Sequence, residues 1–296
     1  MQEEVLDYNA SKRETNYASR KAPKTRKTMA QCLSPYTLTK EYTNSKGQSR
    51  CINVPCGKCI NCTKRRAGQW SFRLREEAKV SSSASFLTLT YEKAPISKNG
   101  FHTLVKADFQ KFMKRLRKLC PTNKLKYYAC GEYGTKTLRP HYHAIIFNLP
   151  HSIINKPQII TDTWNLGHTM VAHSNDLCIN YVAGYVVKGQ FQRLAEYDDR
   201  LPEFSLMSKR MGLAYLTESM IKFYKRKELT AIMRENGTYL PMPRYYKEKI
   251  FDRLTLKKIY TEMLEHNDFI TELSSCKIAQ VIRKDKKERK LKRQKI

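Results

Sequence analysis

Residues 125–147 read LKYYACGEYGTKTLRPHYHAIIF, and this segment carries the clearest structural signal in the chain. Its ends, Leu125–Cys130 and His141–Phe147, are rich in aromatic and β-branched residues, so each is predicted to be a strand. The glycines at 131 and 134 permit a turn between them. The segment therefore predicts two strands joined by a Gly-containing turn.

Further strands and helices are predicted on both sides of these two strands. Ser85–Tyr91 has the composition of a strand, and Lys106–Leu119 has an apolar seam of helical spacing that Pro121 terminates. Ile159–Trp164 and Asp176–Lys188 have helical character as well. The order β-α-β-β-α predicts an α+β sandwich with a mainly antiparallel sheet.

The rest of the chain differs from this core in composition. A helix is predicted from Thr63, as its N-cap, to Lys79, and residues 245–275 also have helical character. The predicted divisions are a flexible basic arm at 1–28, a Cys-rich metal module with a basic helix at 29–79, the core at 80–190, and a mixed, partly helical region with a basic tail at 191–296.

The charge of the chain indicates the kind of partner. It carries 56 Lys and Arg against 27 Asp and Glu, a formal net charge of +29 over 296 residues. Such an excess indicates a polyanion, either nucleic acid or an anionic membrane surface. The membrane is disfavoured because no apolar stretch approaches the roughly 20 residues of a spanning helix. The acidic N-terminus has no apolar segment behind it, so we expect no secretory signal.

The His141-Tyr-His143 triplet is a candidate metal site. Residues i and i+2 of a strand share a face, so the two imidazoles are predicted side by side, as a metal ion or a phosphate requires. Glu132 returns beside them if the two strands pair as a hairpin. Two imidazoles and a carboxylate with open positions suit Mn²⁺ or Mg²⁺ that also accepts a phosphate oxygen. The alternatives are partly buried imidazoles bonded to neighbours and a surface glutamate in a turn.

Tyr181, Tyr185 and Lys188 form a set on one predicted helix. At 100° per residue they fall within an arc of about 60°, apart from the apolar seam of the helix. We therefore expect the two phenols to lie off the core, although tyrosines often pack with only the hydroxyl exposed. A phenol attacks a phosphodiester effectively when a metal polarises the target. The product is a phosphotyrosine link and a free hydroxyl, with Lys188 orienting or neutralising the phosphate.

Three cysteines, Cys56, Cys59 and Cys62, lie within seven residues. The odd total of 9 cysteines, in a chain with no recognisable export signal, argues against a disulfide framework. Cys32 or Cys51 would complete a tetrahedral Zn²⁺ site that holds the loop before the basic helix. The alternative is a set of reduced, unliganded thiols.

Several motifs of the chain resemble those of HUH endonucleases in order and spacing. They are Phe86-Leu-Thr-Leu-Thr-Tyr91, Gly131-Glu-Tyr-Gly134 leading to Arg139-Pro-His-Tyr-His143, and Tyr181-x3-Tyr185-x2-Lys188. In particular, the chain is similar to rolling-circle replication initiators of microviruses of the gokushovirus group. Other segments similar to that group are Pro55–Cys62 with Trp70, Phe204–Ser208 and Pro243–Tyr246, whereas Arg210–Ala214 departs from its usual turn.

The resemblance implies a fold and a chemistry. The core would be an antiparallel-sheet HUH nuclease, ferredoxin- or RRM-like, with Glu132, His141 and His143 as ligands of Mg²⁺ or Mn²⁺. The two tyrosines match the paired nucleophiles, and Cys32 is the preferred fourth zinc ligand. The implied reaction nicks one DNA strand, leaves a 5′-phosphotyrosine link and a free 3′-OH, and later religates the strand into a circle.

The implied partners are single-stranded and origin duplex DNA in the cytoplasm of a bacterial host, without a membrane. A near-match to a phosphate loop at 184–190 lacks the essential lysine, so we expect a host helicase, and a host polymerase, to act with the chain. Alternatives are a two-tyrosine transposase or relaxase, and a non-catalytic zinc-containing nucleic-acid binding protein. The basic residues expected to contact DNA are those at 12–27 and 283–296 and Lys111, Lys114, Arg115, Lys118 and Arg139.

Overall fold

The computed structural model of the chain describes residues 32–43, 49–188, 197–233 and 239–267. The chain forms two units by its internal contacts, Arg66–Tyr215 and Met1–Arg65 with Leu216–Ile296. In the described residues the strands are β1 Tyr36–Thr43, β2 Ser49–Val54, β3 Ala84–Thr90, β4 Lys126–Tyr133, β5 Pro140–Phe147, β6 Thr169–His173, β7 Phe204–Met207, β8 Ala231–Met233 and β9 Tyr239–Pro241. The helices are α1 Ile60–Ala78, α2 Lys106–Leu119, α3 His151–Ile154, α4 Pro157–Trp164, α5 Asp176–Lys188, α6 Glu218–Lys227, α7 Arg244–Ile250 and α8 Arg253–Asn267.

A five-stranded antiparallel sheet organises Arg66–Tyr215, with the strand order β6-β3-β5-β4-β7. β4 and β5 pair as a hairpin, in which Ala129 lies opposite Ala144. β3 pairs with the other side of β5, and its bounds lie one residue before the predicted strand. The prediction of an α+β chain with an antiparallel sheet is confirmed.

Strand β4 is longer than predicted. It extends to Tyr133 and so includes Gly131 and Glu132, which were predicted to lie in the turn. A Cβ at Gly131 would come within 3.0 Å of two packed side chains, so glycine suits this position for space. The turn is confined to the residues after β4, where Gly134 donates its N–H to the carbonyl of Arg139 at 3.0 Å.

The two edge strands, β6 and β7, are structures that the sequence did not predict. β6 pairs with β3, where Val171 lies opposite Leu87, and β7 pairs with β4, where Ser205 lies opposite Cys130. Neither edge strand has a fully buried residue. Their alternation of apolar and polar residues is weak because each has only one paired neighbour to pack against.

Alternate residues of the sheet supply two separate cores. We call the first side the α2 face, because helix α2 covers it together with α4. Helix α2 has the predicted bounds, and its apolar seam is fully buried there. The main members of this core are Leu87, Leu89, Tyr142, Ala144, Ile146, Phe109, Phe112, Leu116 and Trp164.

The opposite side of the sheet is covered by helices α1 and α5, and we call it the α5 face. The predicted bounds of α5 are confirmed. The core on this side contains Leu74, Phe86, Tyr128, Ile145, Phe147, Ile179, Val182 and Ala183. Since His141 and His143 alternate in phase with Ile145, the histidines also lie on the α5 face.

Helix α1 starts three residues earlier than predicted, inside the cysteine segment. Thr63 is not its N-cap, because the Thr63 hydroxyl donates to the carbonyls of Cys59 at 3.2 Å and Ile60 at 3.0 Å, as in a helix interior. At the other end, the buried Glu77 accepts hydrogen bonds from Lys126 Nζ at 2.6 Å and Gly212 N at 2.7 Å. These bonds fasten the last turn of α1 to the sheet.

The turn at 210–214, which departs from the pattern of the similar proteins, has a defined shape. Arg210 and Gly212 both have positive φ, 58° and 68°. Arg73 of α1 donates from Nε and Nη2 to the carbonyl of Met211 at 3.1 and 3.0 Å. The turn is therefore held from both sides by side chains of α1.

The second unit contains the β1–β2 and β8–β9 hairpins and helices α6 to α8. The single helix predicted over 245–275 is wrong, because Phe251 and Asp252 separate α7 from α8 and Asp252 Oδ1 accepts the N–H of Thr255 at 2.8 Å as an N-cap. Residues 268–275, the arm at 1–28 and the tail at 283–296 lie outside the described residues. No helix in the described part of the chain is long and apolar enough to span a bilayer.

Candidate active site and cysteine cluster

The β4–β5 hairpin places Glu132, His141 and His143 together on the α5 face. Glu132 lies directly opposite His141, and His143 follows on the same face of β5. Glu132 Oε1 lies 2.7 Å from His141 Nε2 and 3.1 Å from His143 Nε2. One ligand atom of each residue lies within 4.8 Å of the others. The structure thus brings together the three residues that the sequence named as candidate metal ligands.

Both imidazoles are held by their second nitrogen as well. His143 Nδ1 lies 3.0 Å from Thr88 Oγ1 on the neighbouring strand, and His141 Nδ1 lies 3.1 Å from the carbonyl of Arg139. A carbonyl only accepts, so Nδ1 of His141 donates in this contact and a neutral ring keeps a lone pair on Nε2. Second partners of this kind fix the tautomer and orientation of histidines that bind metals.

The local charges keep the Glu132 carboxylate ionised. Burial raises its pKa, but hydrogen bonds with His141, His143 and Tyr185 outweigh burial and lower the pKa to about 2. Burial lowers the pKa of His141, whereas its contacts with Glu132 and the Arg139 carbonyl produce a net increase. A carboxylate with two imidazoles is a donor set that fits a divalent cation such as Mn²⁺ or Mg²⁺.

Tyr181 and Tyr185 of α5 both contact His143, but their environments differ. The imidazole centre lies 5.3 Å from the ring centre of Tyr181 and 5.6 Å from that of Tyr185, and the two phenol rings are 4.8 Å apart. Tyr181 is 45% exposed, whereas Tyr185 is 4% exposed. The expectation that both phenols lie off the core is therefore wrong for Tyr185.

The burial of Tyr185 follows from the two neighbours of α5. The helix packs on the sheet and beside α1, where Arg75 pairs with Asp176 at 2.9 Å. Its buried residues consequently span an arc of about 160° at 100° per residue, wider than a single apolar seam. Tyr185 lies at one border of this arc, and Tyr181 lies just outside it. One ring packs while the other is at the surface.

The remaining member of this set, Lys188, ends α5. Its side chain lies outside the described residues, so its predicted role at the phosphate stays a prediction.

The basic residues predicted to contact DNA fall into two groups. Lys111, Lys114 and Lys118 are exposed, but they belong to α2 and therefore lie on the opposite side of the sheet from the histidines. Arg115 donates to the carbonyls of Thr163 and Trp164 at the end of α4, at 2.7 and 3.0 Å.

Arg139 is held in a similar way. It donates to the carbonyls of Tyr91 and Glu92 beyond the end of β3. Both arginines thus stabilise the fold with donors that were predicted to bind DNA, and any contact with DNA stays a prediction for all five residues.

The four cysteines Cys32, Cys56, Cys59 and Cys62 also converge. Their sulfur atoms all lie within 4.8 Å of one another, and Cys59 and Cys62 are buried. Cys59 Sγ is 3.8 Å from Cys32 Sγ, and none of the cysteines that the structure describes forms a disulfide. The side chain of Cys51, the other candidate, lies outside the described residues.

Backbone amides surround the sulfur atoms as they do in a thiolate site. Cys56 N donates to Cys32 Sγ at 3.2 Å, and Cys59 N donates to Cys56 Sγ at 3.3 Å. Burial raises the pKa of Cys56, but such amide bonds lower it to about 6. Four converging sulfurs with ionised character fit a tetrahedral Zn²⁺ site.

Three residues next to the candidate site had no role predicted from the sequence. Thr88 supports His143, while Trp70 of α1 and Glu203 before β7 line a cavity beside Glu132. Thr88 is detectable only through its pairing with His143 across β3 and β5. Trp70 and Glu203 are far from the hairpin in sequence, so only the folded chain brings them to it.

The segment that carries this site matches a known protein family. The model of the replication-associated protein ORF2 family matches residues 84–190. This range begins with β3, ends just after α5, and includes Glu132, His141, His143 and both tyrosines. Residues 84–190 belong to the ORF2 family of replication-associated proteins.

Similarity to individual members of such proteins extends beyond this segment. The chain is 29% identical over 216 residues to "Replication-associated protein ORF2" of Spiroplasma virus 4, covering 67% of this chain and 68% of that one. It is 28% identical over 248 residues to "Replication-associated protein VP4" of Bdellovibrio phage phiMH2K, covering 77% and 75%. It is also 28% identical over 218 residues to "Replication-associated protein ORF4" of Chlamydia phage 1, covering 66% and 53%. No solved structure matches the chain.

Proposed function

We propose that the chain initiates rolling-circle replication of a bacteriophage genome as a metal-dependent DNA endonuclease and strand transferase. The observation that carries the proposal is the contact of two phenols with a Glu–His–His set, in which Tyr181 lies 5.3 Å from His143 between ring centres. The similarity to replication-associated proteins of viruses from three bacterial genera supports a role in viral replication. The net charge of +29 supports a nucleic-acid substrate.

The chemical step is an in-line transfer from a 3′-oxygen to a tyrosine. The phenol oxygen forms a bond to phosphorus, its proton leaves to solvent or a base, and the bond from phosphorus to the 3′-oxygen breaks. A divalent cation held by Glu132, His141 and His143 would polarise the phosphate and stabilise the charge that develops on it. The leaving 3′-oxygen takes up a proton and becomes the free 3′-OH, while the 5′ end stays on the enzyme.

Tyr181 is the proposed first nucleophile. A DNA strand can reach its ring, which is 45% exposed, without moving the helix, whereas the 4%-exposed Tyr185 is covered. Tyr185 also hydrogen bonds with Glu132, so its hydroxyl lies next to a proposed metal ligand. In the second reaction the 3′-OH of the displaced strand attacks the phosphotyrosine, and Tyr185 cuts the new junction after a local rearrangement of α5.

The proposal includes the partners and the second metal. The substrates are single-stranded DNA and origin duplex DNA in the cytoplasm of a bacterial host, with a host helicase and polymerase acting alongside. The four cysteines would hold a structural Zn²⁺ in the segment that leads into α1.

A covalent adduct tests the proposed function directly. Purified chain with Mn²⁺ and single-stranded viral origin DNA should give a protein–DNA band on a denaturing gel. Tyr181→Phe should reduce the first-turnover adduct at least about 100-fold, Tyr185→Phe should leave it and reduce strand joining, and Tyr197→Phe, a 67%-exposed tyrosine, is the control. An undiminished adduct in the Tyr181→Phe, Tyr185→Phe double variant would overturn the assignment, and cleavage only at transposon ends or a transfer origin would identify a transposase or a relaxase.

A further inference from the structure

A cavity of about 260 Å³ opens on the α5 face beside the candidate active site. Glu132 and Tyr185 form its border with that site, and β4 and β7 form its floor. Helix α1 closes the remaining side with Arg66 and Trp70. Any group that fills this cavity lies next to the proposed metal ligands and the second tyrosine.

Trp70 is a fixed aromatic wall of the cavity. Its ring is half-buried, and the guanidinium carbon of Arg73 lies 4.3 Å from the ring centre. The ring of Tyr128 lies 4.9 Å away, fully buried behind it. Because Arg73 is anchored on the Met211 carbonyl, the indole is held in place before any ligand arrives. A rigid aromatic surface of this kind stacks on bases at a low entropic cost.

The polar groups of the cavity are mainly acceptors. Phe204 pairs with Gly131, so Glu203 lies beside Glu132 in the register, and Ser205 follows on the same face. The charged residues that line the cavity are two carboxylates and one guanidinium, Arg66. In a chain with a net charge of +29, this local excess of negative charge disfavours a phosphate inside the cavity. It favours a neutral group that donates hydrogen bonds, such as an exocyclic amine of a base.

We propose that this cavity is a base-binding subsite that holds a nucleotide next to the scissile phosphate, stacked against Trp70 with its amino group donating to Glu203. The subsite takes adenine or cytosine, the bases whose Watson–Crick edge has an amino donor, and Arg66 at the rim contacts the adjoining phosphate. It gives the nuclease a sequence preference at one position of the nick site. The inference rests on the proposed function, because only a bound DNA strand supplies the base.

The test uses a pool of single-stranded DNA randomised around the origin nick, with Mn²⁺ and the full chain. The DNA attached to the protein is sequenced for the wild type, Trp70→Leu, Glu203→Gln and the control Glu92→Gln, an exposed glutamate away from the cavity. The wild type should prefer adenine or cytosine at one position beside the nick. Glu203→Gln should lower that preference about tenfold, since an amide can also pair with a keto base, while total adduct stays within about twofold.

Trp70→Leu should weaken binding of a short single strand about tenfold without removing the preference at other positions. Circular dichroism and a melting curve identify any unfolded variant, and Trp70→Phe, which keeps an aromatic surface, should restore most of the affinity. Wild-type cleavage with no preference at any position, or one unchanged in Glu203→Gln, overturns the subsite but leaves the nuclease intact. A loss of bound Mn²⁺ in Glu203→Gln also overturns it, since Glu203 would then be a metal ligand. If the wild type forms no adduct, it is the proposed function that fails.

Discussion

The phenol ring of Tyr185 lies nearly parallel to the imidazole of His143, with 12° between the planes and 5.6 Å between the centres. Tyr181 meets the same imidazole at 77°, edge to face. The imidazole therefore has one aromatic neighbour that covers its face and another that approaches from the side. The covering ring belongs to the core on the α5 face, so Tyr185 contributes to stability as well as to the proposed chemistry.

Removing each tyrosine ring should separate these two contributions. Tyr185→Ala should lower the free energy of unfolding by about 3 kcal/mol or more, because a fully packed ring is lost and a cavity remains. Tyr181→Ala should cost less than about 1 kcal/mol because its ring is half exposed. Urea unfolding followed by circular dichroism measures both. Equal losses would show that Tyr185 is not packed in the core.

The hydroxyl of Thr88 should tune metal binding through His143. Thr88→Val removes the partner of Nδ1 and is expected to weaken Mn²⁺ affinity about 10- to 100-fold. Thr90→Val is the matched control, since the Thr90 hydroxyl donates to the carbonyl of His168 and not to an imidazole. Isothermal titration with Mn²⁺ gives both affinities. If the two variants bind Mn²⁺ equally, Thr88 does not orient the imidazole.

The cysteine cluster should contain one metal ion whose loss destabilises the chain. Purified protein should carry one zinc per chain by elemental analysis, and Cys56→Ser should lose it and melt at a lower temperature. Cys178→Ser, outside the cluster, should keep the zinc. Full zinc content in Cys56→Ser would mean that this cysteine is not a ligand.

The glycine at 167 is the position where a methyl group should be most damaging. Its φ is +152°, and a Cβ would lie 2.3 Å from the Glu92 nitrogen and 2.4 Å from the Thr90 oxygen. Gly167→Ala should therefore destabilise the chain by about 3 kcal/mol. Gly184→Ala, in α5 between the tyrosines, meets nothing within 4 Å and should stabilise by about 0.5–1 kcal/mol. Thermal unfolding of the two variants should shift in opposite directions.

The lysines of α2 should affect DNA binding without affecting cleavage. Changing Lys111, Lys114 and Lys118 together to Gln should leave adduct formation on a short oligonucleotide within about twofold, because α2 lies across the sheet from the histidines. The salt dependence of binding to long duplex DNA should fall by about 0.9 for each phosphate that the variant no longer neutralises. Anisotropy titrations over a range of salt concentrations provide that slope. Loss of short-oligonucleotide cleavage would place α2 near the active site instead.

Local sequence pattern was sufficient for the elements with strong periodicity. Helix α2 and helix α5 have their predicted bounds, and the His-x-His spacing with Glu132 upstream anticipated the cluster on the hairpin. The burial of Tyr185 was missed because a helical wheel assumes one packing partner, whereas α5 has two. The start of α1 was misplaced because Thr63, a good capping residue in isolation, bonds inside a helix that the cysteine loop begins.

The features that sequence did not reveal depend on distant segments. Edge strands β6 and β7 have little alternation of their own, and they form because β3 and β4 offer unpaired backbone groups. The cavity beside Glu132 requires Trp70 and Glu203, which are more than a hundred residues apart along the chain. No local pattern could bring those two side chains together.

The compact origin of the Glu–His–His set has a consequence for the order of folding. All three residues lie within 132–143, on one hairpin, so they meet as soon as β4 and β5 pair. Hairpins close within microseconds, faster than contacts between distant segments form. Helix α5 follows later in the chain and docks separately onto the sheet. A nascent or partly folded chain would thus acquire its cation-binding residues before its nucleophiles, and it would hold an ion while still unable to cut DNA.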